Sequence, residues 1–117
     1  MPSTTNYKRG DVVLVPFPFT DLRSAKQRPA LVISPDTLNS VRDDLLLAGI
    51  TSQIPATRAV DDFLIPQDQL DACGLPKPSI IKRVKPVALH RSLVIKRIGS
   101  LPAPTLAQAL ARIHALL

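Results

Sequence analysis

The sequence predicts a mainly β protein, a small twisted barrel closed by one C-terminal α-helix. Short apolar runs rich in Val, Ile and Leu recur through the first hundred residues, separated by Pro, Gly and polar clusters. Only the segment from Thr105 to Leu117 spaces its apolar residues as one helix face does, with Pro104 suited to the first turn. The chain has 117 residues, of which 45% are hydrophobic and 3% aromatic. This length and composition predict a single domain, residues 1–117, with an aliphatic core.

The first half of the chain predicts two strands, a short helix and a third strand. A β-branched run beginning at Asp11 predicts a strand that ends near Phe19, because two prolines within it lack the N–H that a ladder needs. A polar loop then leads to a second strand from Pro29 to Ile33. The segment Ser34-Pro35-Asp36 predicts a helix start with the serine as N-cap, and Leu45 to Ile50 predicts the third strand.

The second half predicts shorter elements. Phe63 to Ile65 is an apolar run that predicts a fourth strand, and Gln67 to Ala72 predicts a single helical turn that Gly74 ends. Residues 79–84 and 87–98 predict two strands, or one strand bent at Pro86.

Positive charge is concentrated in the C-terminal part of the chain. The net charge is +6, and every acidic residue is an aspartate between Asp11 and Asp71, so residues 72–117 carry eight Lys and Arg and no acid. A one-signed field attracts polyanions and raises their encounter rate, although a solvated basic face that only aids solubility has the same composition.

Cysteine usage and hydropathy point to the cytoplasm. Cys73 is the only cysteine, which excludes an intramolecular disulfide and a multi-cysteine metal site. The first nine residues lack the apolar stretch of a secretory signal, and no apolar run approaches the roughly 20 residues of a membrane span. We therefore expect an unexported, cytoplasmic protein with no cofactor and no metal.

Four segments together resemble the MazF/PemK family of toxin ribonucleases. They occur in the family's order and span nearly the whole chain: Gly10-Asp11-Val12-Val13-Leu14-Val15, Lys26-x-Arg28-Pro29-Ala30-Leu31-Val32-Ile33, Ile50-Thr51-Ser52 and Gly74-Leu75-x-x-x-Ser79. The resemblance implies an SH3-like or CcdB-like β-barrel, a homodimer, metal-independent and sequence-preferring cleavage of single-stranded RNA or mRNA, and neutralisation by an acidic antitoxin. Contact with DNA is implied only through that antitoxin.

By the same resemblance, Arg28 matches the catalytic arginine and Thr51 the catalytic threonine. A guanidinium presents a planar fork that suits two phosphate oxygens, and a hydroxyl can donate to a non-bridging oxygen or orient the attacking 2′-hydroxyl. The alternatives are a surface salt bridge from Arg28 to a residue such as Asp21, and a Thr51 hydroxyl that only caps backbone groups at a strand end.

Further substrate contacts are expected around these two residues. Ser52 and Gln53 follow Thr51 in the implied cleft, the basic strand supplies phosphate contacts, and a phenylalanine of the first strand can stack a base or pack in the core. The expected substrate-binding residues are Lys26, Ser52, Gln53, Lys82, Arg83, Lys85 and Phe17.

One departure from the family pattern leaves a second class of function open. Some members carry an arginine and, two residues later, an acid, where this chain has Lys82 and Val84. A valine cannot carry a proton, so the general base is unassigned. The alternative is a CcdB-like binding module with little or no nuclease activity, acting as a topoisomerase poison or as a partner of an antitoxin and its DNA; an inactive family remnant is a third reading.

Histidine and metal mechanisms have weaker support in the sequence. His90 and His114 suggest a two-histidine acid-base mechanism. However, His114 lies in the C-terminal helix, which we expect to pack away from the cleft, and His90 lies far along the basic strand with no visible partner. The pairs Asp43-Asp44 and Asp61-Asp62 are adjacent residues, whose side chains diverge in a strand, so each is more typical of a wet loop or sheet edge than of a metal site.

Overall fold

The computed structural model describes residues 6–17, 26–54, 63–82 and 86–115. Within these ranges the chain forms seven strands and three helices, with 3₁₀ turns at 67–69 and 91–93. The elements are β1 (Asp11–Phe17), β2 (Lys26–Val32), α1 (Asp36–Asn39), β3 (Asp44–Thr51), β4 (Phe63–Leu64), α2 (Leu70–Cys73), β5 (Ile80–Ile81), β6 (Val87–His90), β7 (Lys96–Ser100) and α3 (Ala103–Ala115).

All strand pairs in the sheet are antiparallel, and β3 is its longest and central strand. The order is β4-β5-β3-β2-β1-β7. On one side β3 pairs with β2, and on the other it pairs with β6 along its first half and with β5 at its end. The mainly β class with a C-terminal helix is confirmed. Over the described strands the sheet is open, with β4 and β7 at its ends, and is not the closed barrel that was expected.

Each face of the sheet carries its own hydrophobic cluster. On one face, the helix-side core joins the sheet to α2 and α3 through residues such as Ile50, Cys73 and Ile113. On the other face lies the second core, which comprises Tyr7, Val13, Val15, Ala30, Val32, Leu45, Leu47 and Leu89. Since neighbours in a strand point to opposite faces, membership of these clusters tells which face each strand residue occupies.

Strand β2 begins three residues earlier than the sequence predicted. The proline at position 29 lies inside the strand, where it pairs with Leu14 of β1. On the other side of β2, the recorded pairs with β3 start only at Ala30. The pairing with β3 has not yet begun at Pro29, so the missing N–H of this proline costs no hydrogen bond to β3. Strand β2 can therefore extend back to Lys26.

The predicted helix cap at Ser34 is wrong. The residue at the N-cap position of α1 is Pro35, and no side chain caps the helix. Ser34 is buried instead, where its hydroxyl donates to Asn39 Oδ1 at 2.5 Å and accepts from the Leu46 backbone N–H. The serine therefore joins α1 to β3 through a buried polar contact.

Two C-terminal elements also differ from the sequence prediction. The predicted strand over 87–98 is divided into β6 and β7 by a 3₁₀ turn at Arg91–Leu93, in which the Ser92 N–H donates to Nδ1 of His90. Helix α3 begins at Ala103, two residues before the predicted start, and buries Thr105, Ala109 and Ile113, while Leu106 and Leu110 pack partly buried against the same core. The predicted turn ending at Gly74 is confirmed, with that glycine at φ 71°.

Helix α2 packs closely against β7 through two glycines. A Cβ at Gly74 would lie against the carbonyl oxygen of Ile98, and a Cβ at Gly99 against the backbone of Ala72 and Cys73. Cys73 is fully buried beside this contact, and burial raises the pKa of its thiol. Among the described helices, none has the length and apolarity that a membrane crossing requires.

Candidate active site

The pairing of β2 with β3 brings Arg28 and Thr51 to neighbouring strand ends. The paired residues are Val32 with Leu47, Leu31 with Ala48 and Ala30 with Gly49, where the ladder between the two strands stops. The same register, continued by two residues beyond this point, leads to Arg28 and Thr51.

Arg28 and Thr51 also share one face of the sheet. Arg28 pairs with Val15, a member of the second core, and is two residues from Ala30 of the same cluster. Thr51 is next to Ile50, which belongs to the helix-side core and so points the other way. Arg28 is exposed and Thr51 half-buried. The guanidinium and the hydroxyl are therefore anchored on adjacent strands, on the face turned away from α3.

The Thr51 hydroxyl already has one backbone partner. Its oxygen accepts a hydrogen bond from the Gln53 N–H at 3.1 Å. A threonine with a purely structural role makes the same contact at a strand end. The structure is therefore consistent with the alternative in which the Thr51 hydroxyl only caps backbone groups. The contact occupies a lone pair of the oxygen and leaves the hydroxyl proton available to donate.

Two lysines and a glycine extend the same face. Lys26 is exposed, two residues before Arg28 in β2. Lys82 is exposed just after β5, and its N–H donates to the carbonyl oxygen of Gly49 at 2.8 Å, which continues the pairing of β5 with β3. Because Lys82 is thereby opposite Gly49, it lies on the face of Thr51. Gly49, a glycine inside an apolar strand, is not among the residues predicted from the sequence.

The other predicted site residues divide into two groups. Ser52 and Gln53 are exposed and follow directly after Thr51 at the end of β3. The backbone of Phe17 pairs with Lys26, which places this residue on the neighbouring strand. The side chain of Phe17 lies outside the described part of the chain, as do Arg83, Val84, Lys85 and the alternative salt-bridge partner Asp21.

The residues of the competing mechanisms lie elsewhere. His90 pairs with Asp44 at the start of β3, the opposite end of that strand from Thr51. His114 lies on α3, where it lines a cavity of about 1080 Å³ on the helix side of the sheet. Across the described ranges, no group of three or more His, Cys, Asp or Glu side chains is arranged to hold a metal ion. The second aspartate pair, Asp61-Asp62, is outside those ranges.

The described acidic side chains lie in other parts of the fold than the strand ends that carry Arg28 and Thr51. They occur at the start of β1, around α1 and the start of β3, and in the turn that includes α2: Asp11, Asp36, Asp43, Asp44, Asp68 and Asp71. Among the described residues, the one salt bridge joins Arg97 to Asp11, at 3.8 Å. Among the described residues, the strand ends with Arg28 and Thr51 therefore carry cations and a hydroxyl, groups that suit a phosphate.

Comparison with known proteins gives a family match over nearly the whole chain. Residues 8–117 match the model of the family described as PemK-like, MazF-like toxin of type II toxin-antitoxin system. A search of curated proteins found no match to this chain.

Solved structures of similar fold include toxins alone and toxins with antitoxins. A MazE-MazF structure from Deinococcus radiodurans has a TM-score of 0.75 and 22% identity, with 97% of this chain and 96% of that chain covered. An endoribonuclease in complex with its cognate antitoxin from a Mycobacterial species has a TM-score of 0.71 and 15% identity, with coverage of 94% and 93%. Toxin MazF-mt6 from Mycobacterium tuberculosis has a TM-score of 0.63 and 22% identity, with coverage of 92% and 98%. At these identities the likeness shows the fold.

Proposed function

We propose that this chain, which belongs to the PemK-like, MazF-like family of toxins of type II toxin-antitoxin systems, is an endoribonuclease that cleaves single-stranded RNA without a metal ion. The observation that supports the proposal is the register of β2 and β3, which, continued by two residues beyond the last pair, leads to Arg28 and Thr51 on the same face. The products are a 2′,3′-cyclic phosphate and a 5′-hydroxyl, because the nucleophile in this chemistry is the neighbouring 2′-hydroxyl of the RNA.

The roles of the two residues follow from the charge that develops on the phosphate. As the 2′-oxygen bonds to phosphorus, negative charge increases on the non-bridging oxygens, and preorganised donors stabilise it. Arg28 supplies two parallel N–H donors and a permanent positive charge. Thr51 donates its hydroxyl proton to one of the same oxygens while the Gln53 N–H fixes the position of its oxygen.

The exposed lysines hold the strand on either side of the scissile linkage. Lys26 and Lys82 are solvent-exposed cations on the same face, and in this proposal they contact flanking phosphates. Ser52 and Gln53, at the end of β3, contact the nucleotide next to the cleaved bond. We propose that the protein works in the cytoplasm as a homodimer.

Cleavage of a long RNA in EDTA tests the function. We expect the purified protein to produce reproducible fragments, Thr51→Ala to lose about 100-fold in rate, and Thr51→Ser, which keeps the hydroxyl, to retain most of it. Thermal unfolding of each variant checks the fold. Absence of fragments at stoichiometric enzyme, or fragments that disappear with EDTA, contradicts the proposal. If Thr51→Ala cleaves RNA as fast as the parent, the activity comes from a contaminant. The alternative function, a binding module with little or no nuclease activity, is then favoured.

An acidic antitoxin is the second partner of this proposal. Similar folds have been solved as toxin and antitoxin together, and the cationic face offers Arg28 and Lys82 to the carboxylates of an extended acidic segment. We expect the antitoxin, to be sought as a small acidic protein in the neighbouring reading frame, to compete with RNA. In a fluorescence titration with labelled 2′-deoxy oligonucleotide, added antitoxin should displace the probe; a ternary complex with unchanged affinity for the probe would contradict competition.

A further inference from the structure

A histidine far from the proposed site holds a turn through its imidazole ring. His90 ends β6, and its Nδ1 accepts a hydrogen bond from the Ser92 N–H at 3.1 Å. The Ser92 hydroxyl oxygen lies 2.7 Å from the same nitrogen. The ring thereby caps the 3₁₀ turn Arg91–Leu93, which lies between β6 and β7. The turn is therefore held in part by a side chain that can gain a proton.

The same turn is hydrogen-bonded to the segment that contains α1. The Arg91 N–H donates to the carbonyl oxygen of Asp43 at 2.8 Å, just before β3. The Arg91 guanidinium donates to the carbonyl oxygens of Asn39 and Arg42, at and beyond the end of α1. Within the turn, the Val94 N–H donates to the Arg91 carbonyl oxygen at 3.1 Å. The turn is thus a junction between β6, β7 and the connection from α1 to β3.

Protonation of the ring removes the acceptor that the turn uses. A neutral imidazole has one acceptor nitrogen, whereas an imidazolium has none. The hydroxyl of Ser92 can reverse its role and accept from a protonated Nδ1, but the Ser92 N–H can only donate. The hydrogen bond between this N–H and His90 therefore requires the neutral ring. Histidine is also the side chain that ordinarily changes charge between pH 5 and 8.

Charged groups face this ring from β3, from the residues before β3 and from the turn itself. Asp44 pairs with His90 across the two strands, and both residues are exposed. Directly opposed residues of an antiparallel pair have Cβ atoms about 4.5–5.5 Å apart. Asp43 and Arg42 precede Asp44 in the chain, and Arg91 follows His90. A protonated ring therefore has the Asp44 carboxylate as an alternative partner of opposite charge.

We propose that His90 is a pH-sensitive latch on this turn. In its neutral form the ring caps the turn at the Ser92 N–H, and in its protonated form it releases that N–H and pairs with Asp44. The stabilising contribution of the cap is therefore present at high pH and lost as the pH falls. The opening is local, because sheet hydrogen bonds such as the one from the Ile33 N–H to the Leu46 carbonyl oxygen do not involve the ring.

Amide hydrogen exchange followed by NMR at pH 7.5 and pH 5 tests the latch. The protection factor compares each exchange rate with that of an unfolded chain at the same pH, so the intrinsic effect of pH is removed. We expect the protection of the Ser92 amide to fall about fivefold at the lower pH, the size of a lost cap. The Ile33 amide should keep its protection, which shows that the sheet stays folded.

The matched variant is His90→Asn, which keeps an acceptor at the cap position but does not titrate. It should protect the Ser92 amide equally at both pH values, and His90→Ala should protect it at neither. In Asp44→Asn, His90 should gain its proton at a lower pH, as followed by its ring-proton shift. Equal Ser92 protection at both pH values in the parent, a parent-like fall in His90→Asn, or an equal fall at Ile33 overturns the latch. An unchanged His90 midpoint in Asp44→Asn overturns the pairing with Asp44.

Discussion

Replacing Arg28 with Ala should lower the rate of RNA cleavage about 100- to 1,000-fold, the usual loss when one preorganised donor is removed from a developing oxyanion. Arg28→Lys should stay at least about 10-fold below the parent, because an ammonium keeps the charge but cannot present two parallel donors to a phosphate. Single-turnover cleavage of an end-labelled RNA measures both. The position is exposed, so neither change should shift the free energy of unfolding by more than about 0.5 kcal/mol.

A second exposed arginine provides the control for charge. Arg42 precedes β3, at the opposite end of that strand from Thr51. Arg42→Ala removes the same net charge, and we expect a change in cleavage rate below about threefold, consistent with the small effects of exposed charges in screening salt. Equal losses in the Arg28 and Arg42 variants would mean that the protein uses only its overall positive field.

Replacing Gly99 with Ala should destabilise the protein by about 2 kcal/mol, and Gly74→Ala by about 3 kcal/mol, without involving the site. At Gly99 the new methyl group would overlap the backbone of Ala72 and Cys73, so α2 and β7 must separate. At Gly74 a clash with the Ile98 carbonyl is added to the cost of a left-handed backbone in a residue with a Cβ. Thermal unfolding should show a decrease of about 4–8 °C for each kcal/mol.

Gly49→Ala is the matched control for this effect, because it adds the same methyl group to a strand glycine where the new Cβ meets no described atom within 4 Å. It should leave the unfolding temperature unchanged or slightly higher. If Gly99→Ala is as stable as Gly49→Ala, the close contact of α2 with β7 does not exist in solution.

The sequence predicted element types well and element boundaries less well. Runs such as Leu45 to Ile50 alternate or concentrate apolar residues strongly enough to identify strands, and Gly74 ends its helix as expected. Pro29 misled the prediction, because whether a strand tolerates proline depends on which neighbour its nitrogen faces, and pairing partners cannot be read locally. Ser34 misled it similarly: its position suits a cap, but a buried contact with Asn39 takes its hydroxyl.

The candidate site residues were predicted from residue type and from the family resemblance. Their relative positions could be inferred only from the pairing register of β2 and β3. Arg28 and Thr51 are far apart in sequence, and a shift of one residue in pairing would send one of them to the other face. Gly49 was not selected because a lone glycine in an apolar run has no chemistry of its own. Its neighbours across the sheet, Ala30 and Lys82, are known only from the pairing of three strands.

A double-mutant cycle on RNA cleavage tests most directly whether the guanidinium and the hydroxyl act on one phosphate. The cleavage rates of the parent, Arg28→Ala, Thr51→Ala and the double variant are compared under single-turnover conditions. Groups that stabilise the same charge act as a unit, so the double variant should lose little more than the worse single variant. If the two losses multiply in full, Arg28 and Thr51 act independently, and the account of a shared catalytic centre is wrong.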